Sequence, residues 1–218
     1  MNIQTILGMC DHTLLSQSAT WEEIRAVCDD GMTYHTASVC IPASYVKPAK
    51  EYVGDKLAVC TVIGFPNGYD TTAAKVFETA DAVKNGADEI DMVINISRTK
   101  EHDYQYLEKE ISAIKKVCGE RTLKVILETC LLSDDEIVAA CLASKNAGAN
   151  FVKTSTGFST GGATVRAVTL MRQTVGPEMG VKASGGVHNF QEAMAMITAG
   201  ATRIGASSGV AIMKSLNK

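Results

Sequence analysis

The chain has 218 residues, enough for one domain with a sizeable buried core. Hydrophobic residues make up 46%, charged residues 21%, and the formal net charge is -3, which excludes disorder and any general pull toward nucleic acid or acidic membranes. The 7 cysteines (10, 28, 40, 60, 118, 130 and 141) are scattered, with no C-x-x-C pair and no histidine at ligand spacing, so no disulfide and no metal are expected. No basic segment followed by an apolar run opens the chain, and nothing approaches the ~20 apolar residues of a membrane span. A soluble, cytoplasmic protein without a membrane partner is expected.

In chain order, a brief extended piece over 9–13 is a candidate first strand. Thr20 and Glu23 then form a capping box before Ile24, Val27 and Cys28. Apolar runs predict strands at 36–41 and 57–63. A helix over 70–86 follows, its expected buried stripe made of Ala73, Val76, Phe77, Ala80 and Val83. Further strands are predicted at 89–94 and 123–128, then a second capping box at Ser133 and Glu136, then strands at 150–154, 180–184 and 202–206. Gly205-Ala206-Ser207-Ser208-Gly209 is read as opening a last helix.

Three helix exits share one motif: Gly86-Ala87-Asp88, Gly148-Ala149-Asn150 and Gly200-Ala201-Thr202 each lead straight into a strand. Glycine supplies the left-handed residue that stops a helix without strain. Repeated helix–Gly-Ala–strand units imply βαβ crossovers and a parallel sheet. About eight such units, with no dinucleotide fingerprint after the first strand, favour a closed (β/α)8 TIM barrel spanning 1–218 as a single domain.

Strands buried on both faces should read as unbroken apolar sequence. Asp91, Lys153 and Lys182 break that rule near the middle or C-terminal end of their strands, and Lys124 breaks another near its start. One reading is an internal salt-bridge network filling the barrel. The other is catalytic, because barrel chemistry sits at the C-terminal strand ends. Lysines on consecutive strands, ~4.8 Å apart, have a specific use. A unit charge ~4 Å away, at an effective dielectric of ~20, contributes about 4 kcal/mol. That is enough to bring an ordinary lysine pKa of ~10.4 down by roughly three and supply the neutral amine that attacks a carbonyl. Asp91 is the candidate to accept and return protons, through a water and with Lys182 beside it. Spacing does not decide which lysine is the nucleophile, and Lys124 reads as a partner for a carboxylate such as Glu128 or Asp91.

Small-residue turns after the late strands suit an anion. These are Gly157 with Ser159-Thr160-Gly161-Gly162, then Ser184-Gly185-Gly186, then Gly205 to Gly209. Backbone N–H groups and hydroxyls at the loops after the last two barrel strands form a common phosphate site. Neither G-x-G-x-x-G nor a Walker A pattern is present, against a dinucleotide or nucleoside triphosphate. The four histidines are dispersed. His188 before Asn189 reads as helix-entry chemistry, Asp11-His12-Thr13 as either a polar turn or part of the site, and Cys40 as packing that faces the barrel interior.

Assembled, these segments resemble the deoxyribose-phosphate aldolase family over nearly the whole chain. The resemblance rests on Asp11-His12-Thr13-Leu14-Leu15, the 60–66 segment, Ala87 to Asn95, Phe151-Val152-Lys153-Thr154-Ser155-Thr156-Gly157-Phe158, Gly180 to Gly186, and Arg203 to Gly209. It implies reversible cleavage of 2-deoxy-D-ribose 5-phosphate to glyceraldehyde 3-phosphate and acetaldehyde, with no metal or organic cofactor. By the same resemblance, Lys153 forms the Schiff base, Lys182 lowers its pKa and Asp91 relays protons. Asp11, Thr13 and Thr156 surround the substrate, and Gly185, Gly186, Ser207 and Ser208 hold its phosphate. A homodimer is implied only by analogy. Two departures stand out: the sequence stops at Asn217-Lys218 where some members carry a terminal tyrosine, and Tyr34-His35-Thr36 replaces small or apolar residues before the second strand. Alternatives are another lysine-dependent aldolase or dehydratase, or a non-catalytic phosphosugar binder.

Overall fold

Eight short strands, none longer than five residues, carry the fold: β1 (Cys10–Thr13), β2 (Ser38–Ile41), β3 (Val59–Ile63), β4 (Glu89–Val93), β5 (Thr122–Ile126), β6 (Phe151–Lys153), β7 (Gly180–Ser184) and β8 (Arg203–Ala206). In the computed structural model, which describes residues 3–207, all pair in parallel and in sequence order. β8 returns to β1 through Cys10↔Ile204, Asp11↔Gly205 and His12↔Ala206, closing the barrel. The extended piece near residue 10 is therefore a true strand, without which the sheet would have two open edges. Expected strand limits differ by one or two residues, where chain ends leave the ladder.

The helices are α1 (Ile3–Leu7), α2 (Trp21–Tyr34), α3 (Val46–Val53), α4 (Thr72–Lys84), α5 (Ile96–Lys100), α6 (Tyr104–Cys118), α7 (Asp134–Asn146), α8 (Val165–Val175) and α9 (Phe190–Thr198). Both capping boxes form: Thr20 and Glu23 satisfy each other's backbone N–H at the start of α2, and Ser133 and Glu136 do so at α7. The three Gly-Ala exits hold Gly86, Gly148 and Gly200 at φ of 100°, 78° and 113°, as a helix stop requires. No described helix is long and apolar enough to cross a membrane. The last helix expected after Gly205, with Ser208, lies outside the described residues.

The apolar core sits between barrel and helices. Ile90 and Met92 of β4 point outward onto it with Leu107, Ile111, Leu123 and Val125. Residues of opposite parity point inward, so the interior holds Glu89, Asp91, Lys124, Lys153, Lys182, Arg203 and Asp11, all mutually placed by the strand ladders. One expectation is overturned at α4. Its buried residues are Lys75, Thr79 and Ala82, whereas Phe77 is 76% exposed and Ala73 and Ala80 are also exposed. The Lys75 ammonium is pinned inside by the Val93 carbonyl and Glu110, both at 2.9 Å. That rotates the apolar stripe toward solvent.

Candidate active site

Seven charged side chains form one continuous network inside the barrel. Lys153 Nζ and Lys182 Nζ both donate to the same oxygen of Asp91, Oδ2, at 2.8 and 2.7 Å. Lys124 donates to Asp91 Oδ1 at 2.8 Å and approaches Glu89 at 2.6 Å and Asp11 at 3.4 Å. Lys182 also pairs with Asp11 Oδ2 at 2.5 Å, and Arg203 bridges Asp11 Oδ1 at 2.5 Å and Glu89 at 3.2 Å. The two sequence readings of these charges thus describe one object, a salt-bridge network whose upper end is open to a pocket.

Register explains the convergence. Lys153, Lys182 and Arg203 are ladder neighbours on β6, β7 and β8, so their side chains leave on the same face. Gly205 provides the space: a Cβ there would come within 3.0 Å of Lys182 Cε and 2.8 Å of Ser184 Cβ. The ends of β6 and β7 are then tied by Thr154 Oγ1 donating to the Ser184 carbonyl (3.0 Å), Ser184 N donating to Thr154 Oγ1 (3.1 Å), and Ser184 Oγ donating to the Ser155 carbonyl (2.8 Å). The two lysines are therefore held on a rigid pair of strand ends.

Protonation follows from these partners. Burial opposes charge on Lys182, but Asp11 and Asp91 outweigh it and raise its pKa above the ordinary lysine range. Burial likewise opposes the Asp91 carboxylate, yet Lys124, Lys153 and Lys182 hold its pKa well below the usual range. Asp11 is lowered in the same way, against burial, by Lys124, Lys182 and Arg203. Lys124 is raised, against burial, by Asp11 and Asp91.

Above the network lies a cavity of about 460 Å³ at the C-terminal end of the barrel. Lys153, Thr13, Thr156, Gly185, Gly186 and Ser207 line it, all of them expected site residues. Of the four interior cations among the described residues, only Lys153 lines it. One expectation needs correction. Asp11 does not line the cavity; it is fully buried beneath, where it accepts from Ser38 Oγ at 2.8 Å and braces Lys182. Asp91, expected to act through a water with Lys182 beside it, is also fully buried away from the lining, strongly favours its ionised form and links the two amines. Lys124 pairs with Asp91 as expected, but Glu128 is engaged elsewhere.

Glu128 was not recognised from sequence as a site residue. Held at φ 57° and buried, it accepts the Thr156 hydroxyl in a short bond and the Thr156 N–H at 3.3 Å. Thr156 Oγ1 in turn accepts from Phe158 N at 3.0 Å. A carboxylate just beyond an apolar strand was the available signal, but its partner lay 28 residues on. His188 and Ser16 also line the cavity, although His188 performs its expected helix-entry role through its N–H to Glu192. The glycine loops pack backbone to backbone: a Cβ on Gly162 would meet the Gly185 carbonyl oxygen at 2.2 Å. Gly185 and Gly186 take φ of 76° and 77°, open to glycine and costly for other residues.

Two buried groups, Cys40–Cys60–Asp91 and Asp11–Cys60–Glu89, have ligand atoms within 4.8 Å of one another. Their carboxylates are already taken by Lys124, Lys153, Lys182 and Arg203, and a cation placed among those ammonium groups would be repelled. Cys40 does face the interior, in contact with Cys60.

Comparison with known proteins agrees with this geometry. A family model described as DeoC/LacD family aldolase matches residues 5–215. A deoxyribose-phosphate aldolase of Streptococcus pyogenes serotype M4 is 54% identical over 214 residues, covering 98% of this chain and 96% of its own length. A crystal structure from Coccidioides immitis superposes with a TM-score of 0.97 at 40% identity, covering 100% of this chain and 88% of that one. A deoxyribose phosphate aldolase from Aeropyrum pernix, described as a unique tetramer, superposes at 0.93 with 31% identity over 100% of this chain and 93% of that one.

Proposed function

The chain belongs to the DeoC/LacD aldolase family, and from that premise we propose that it reversibly cleaves 2-deoxy-D-ribose 5-phosphate to D-glyceraldehyde 3-phosphate and acetaldehyde through a Schiff base on Lys153. One observation carries the reading: Lys153 is the interior cation that lines the cavity, and it shares a single carboxylate oxygen with Lys182.

In this mechanism the Lys153 amine adds to the C1 aldehyde of the open sugar, its proton moves to the oxygen, and water leaves to give the iminium. The C2–C3 bond then breaks, its electron pair flowing into the iminium as the C3 hydroxyl gives up its proton. Glyceraldehyde 3-phosphate departs, the enamine takes a proton at C2, and water releases acetaldehyde and the free amine. Lys182 keeps its proton and supplies the neighbouring positive charge. Asp91 orients both amines, and a water in the cavity carries protons between them and the substrate. Thr13 and Thr156 position the sugar. The Thr156 hydroxyl donates to Glu128 and accepts from Phe158 N, so one acceptor position on its oxygen remains for a substrate hydroxyl. The phosphate is assigned to Gly185, Gly186, Ser207 and Ser208, a role supported for the first three by their place in the cavity lining.

No cofactor takes part in these steps, and the ligand is a small phosphorylated sugar, not a nucleic acid. We also assign the protein to the cytoplasm and to a homodimer, which sedimentation at graded concentrations checks. A coupled assay of aldehyde release tests the activity. The expected result is turnover of deoxyribose 5-phosphate and, in reverse, preference for acetaldehyde as donor. Acetaldehyde used no better than pyruvate or dihydroxyacetone phosphate would overturn the substrate assignment.

A further inference from the structure

The network inside the barrel does not balance. Among the described residues it holds four cations (Lys124, Lys153, Lys182, Arg203) and three carboxylates (Asp11, Glu89, Asp91). Fully ionised, it would keep one uncompensated positive charge among buried side chains, which is unfavourable. One proton must leave at lowest cost. Lys124 faces three carboxylates and Lys182 two, both of which hold their protons, while Arg203 does not lose its proton in proteins. Lys153 has one partner, Asp91, whose oxygen it shares with Lys182.

The source of the excess lies at the closed end of the barrel. Arg203 and Glu89 are the first residues of β8 and β4, and neither lines the cavity. Arg203 occupies Asp11 Oδ1 and part of Glu89, with its guanidinium 5.3 Å from the centre of the Phe151 ring. The anionic charge it takes is withheld from Lys124 and Lys182, which lean the more on Asp91 and leave Lys153 the smallest share. We propose that Arg203 and Glu89 are positioning residues that set the proton state of Lys153 by fixing the charge count of the interior network. Arg203 supplies the cation in excess, and Glu89 limits that excess to one.

The groups that face Lys153 across the interior are Asp91 on β4, Lys124 on β5, Lys182 on β7, Asp11 on β1, and the Cys40 and Cys60 thiols on β2 and β3. Glu128 and His188 stand on the loops above. Burial and then the Cys40 contact push the Cys60 pKa well above its ordinary value, whereas the Cys60 contact lowers the Cys40 pKa against burial. Glu128 is committed to Thr156. With the Cys40 thiol protonated, the balance rests on the seven charges.

This inference rests on Lys153 being the nucleophile, and its test separates the two. The acidic limb of kcat/KM against pH is measured for intact wild type and for Arg203→Met, Glu89→Gln, the double variant and Arg203→Lys. Removing the cation should move the limb to higher pH by about one pH unit, and removing the anion should move it lower by a similar amount, as expected for a unit charge at an effective dielectric of about 20. The double variant restores the excess and should return close to wild type, as should Arg203→Lys. Simple structural damage would lower the rate at every pH and leave the limb in place. If Arg203→Met does not fold, the direction of the Glu89→Gln shift decides. Limbs that stay fixed, or shift in the same direction in both single variants, overturn the inference while leaving the Lys153 assignment intact. Absence of reductive trapping at Lys153 in wild type removes the assignment itself.

Discussion

Among the described residues, two places bury a lysine completely, and they behave in opposite ways. Between α4 and α6, Lys75 meets Glu110 one to one, and the pair is cut off from the cavity. Burial dominates there, lowering the Lys75 pKa and raising that of Glu110, with each partner only partly offsetting the other's shift. Inside the barrel the partners dominate instead: Lys182 is raised and Asp91 is lowered despite complete burial. A balanced pair is a brace, here fixing the end of β4 through the Val93 carbonyl. In the proposed reading, an unbalanced network with one member exposed to a cavity is a source of a reactive amine. Burial of lysine alone therefore does not distinguish the two places; charge count and access to the cavity do.

The contrast breaks most visibly at Lys182. Lys182→Leu should lower kcat/KM at neutral pH by about 10²- to 10⁴-fold while the protein still folds, because the remaining three cations match the three carboxylates. A steady-state assay with a circular dichroism check measures this. At the brace the effect should fall on stability. Lys75→Met should cost about 3–5 kcal/mol in urea unfolding by leaving Glu110 buried without its cation, with kcat little changed. Lys75→Met combined with Glu110→Leu should recover most of that loss.

Acid sharpens the comparison further. Asp11 and Asp91 have folded-state pKa values below those of the unfolded chain. Their stabilisation is thus present above about pH 4 and is lost as pH falls through the depressed folded values. The urea midpoint should drop steeply there. The raised Glu110 works in the opposite sense, since its folded form takes up a proton first as pH falls. Replacing the Lys75–Glu110 pair by Met and Leu should leave the steep acid limb in place. Smallest of all, Phe77→Ser should leave Tm within about 2 °C, because that ring is 76% exposed.

These regions also differ in how far the amino-acid order reveals them. Asp91, Lys153 and Lys182 stand out because each interrupts a run that both faces of a buried strand require to be apolar. The Gly-Ala exits announce the crossovers because only a left-handed residue ends those helices so abruptly. At α4 the same logic fails: the buried face carries Lys75 and Thr79, so counting apolar residues selects the outer face. Asp11 shows its polarity but not its depth, which depends on the pairing of β1 with β8 at the far end of the chain. Glu128 is hidden because a left-handed turn, not a strand, aims it at Thr156. Arg203 opens its strand, and only the ladder sets it beside Lys182.

Borohydride reduction of the intact protein in the presence of acetaldehyde at neutral pH, followed by peptide mapping, addresses the central claim most directly. An ethyl group on Lys153, absent from Lys124 and Lys182 and lost in Lys153→Ala, is the predicted result. An ethyl group on Lys182, or no modification of any interior lysine, would contradict it.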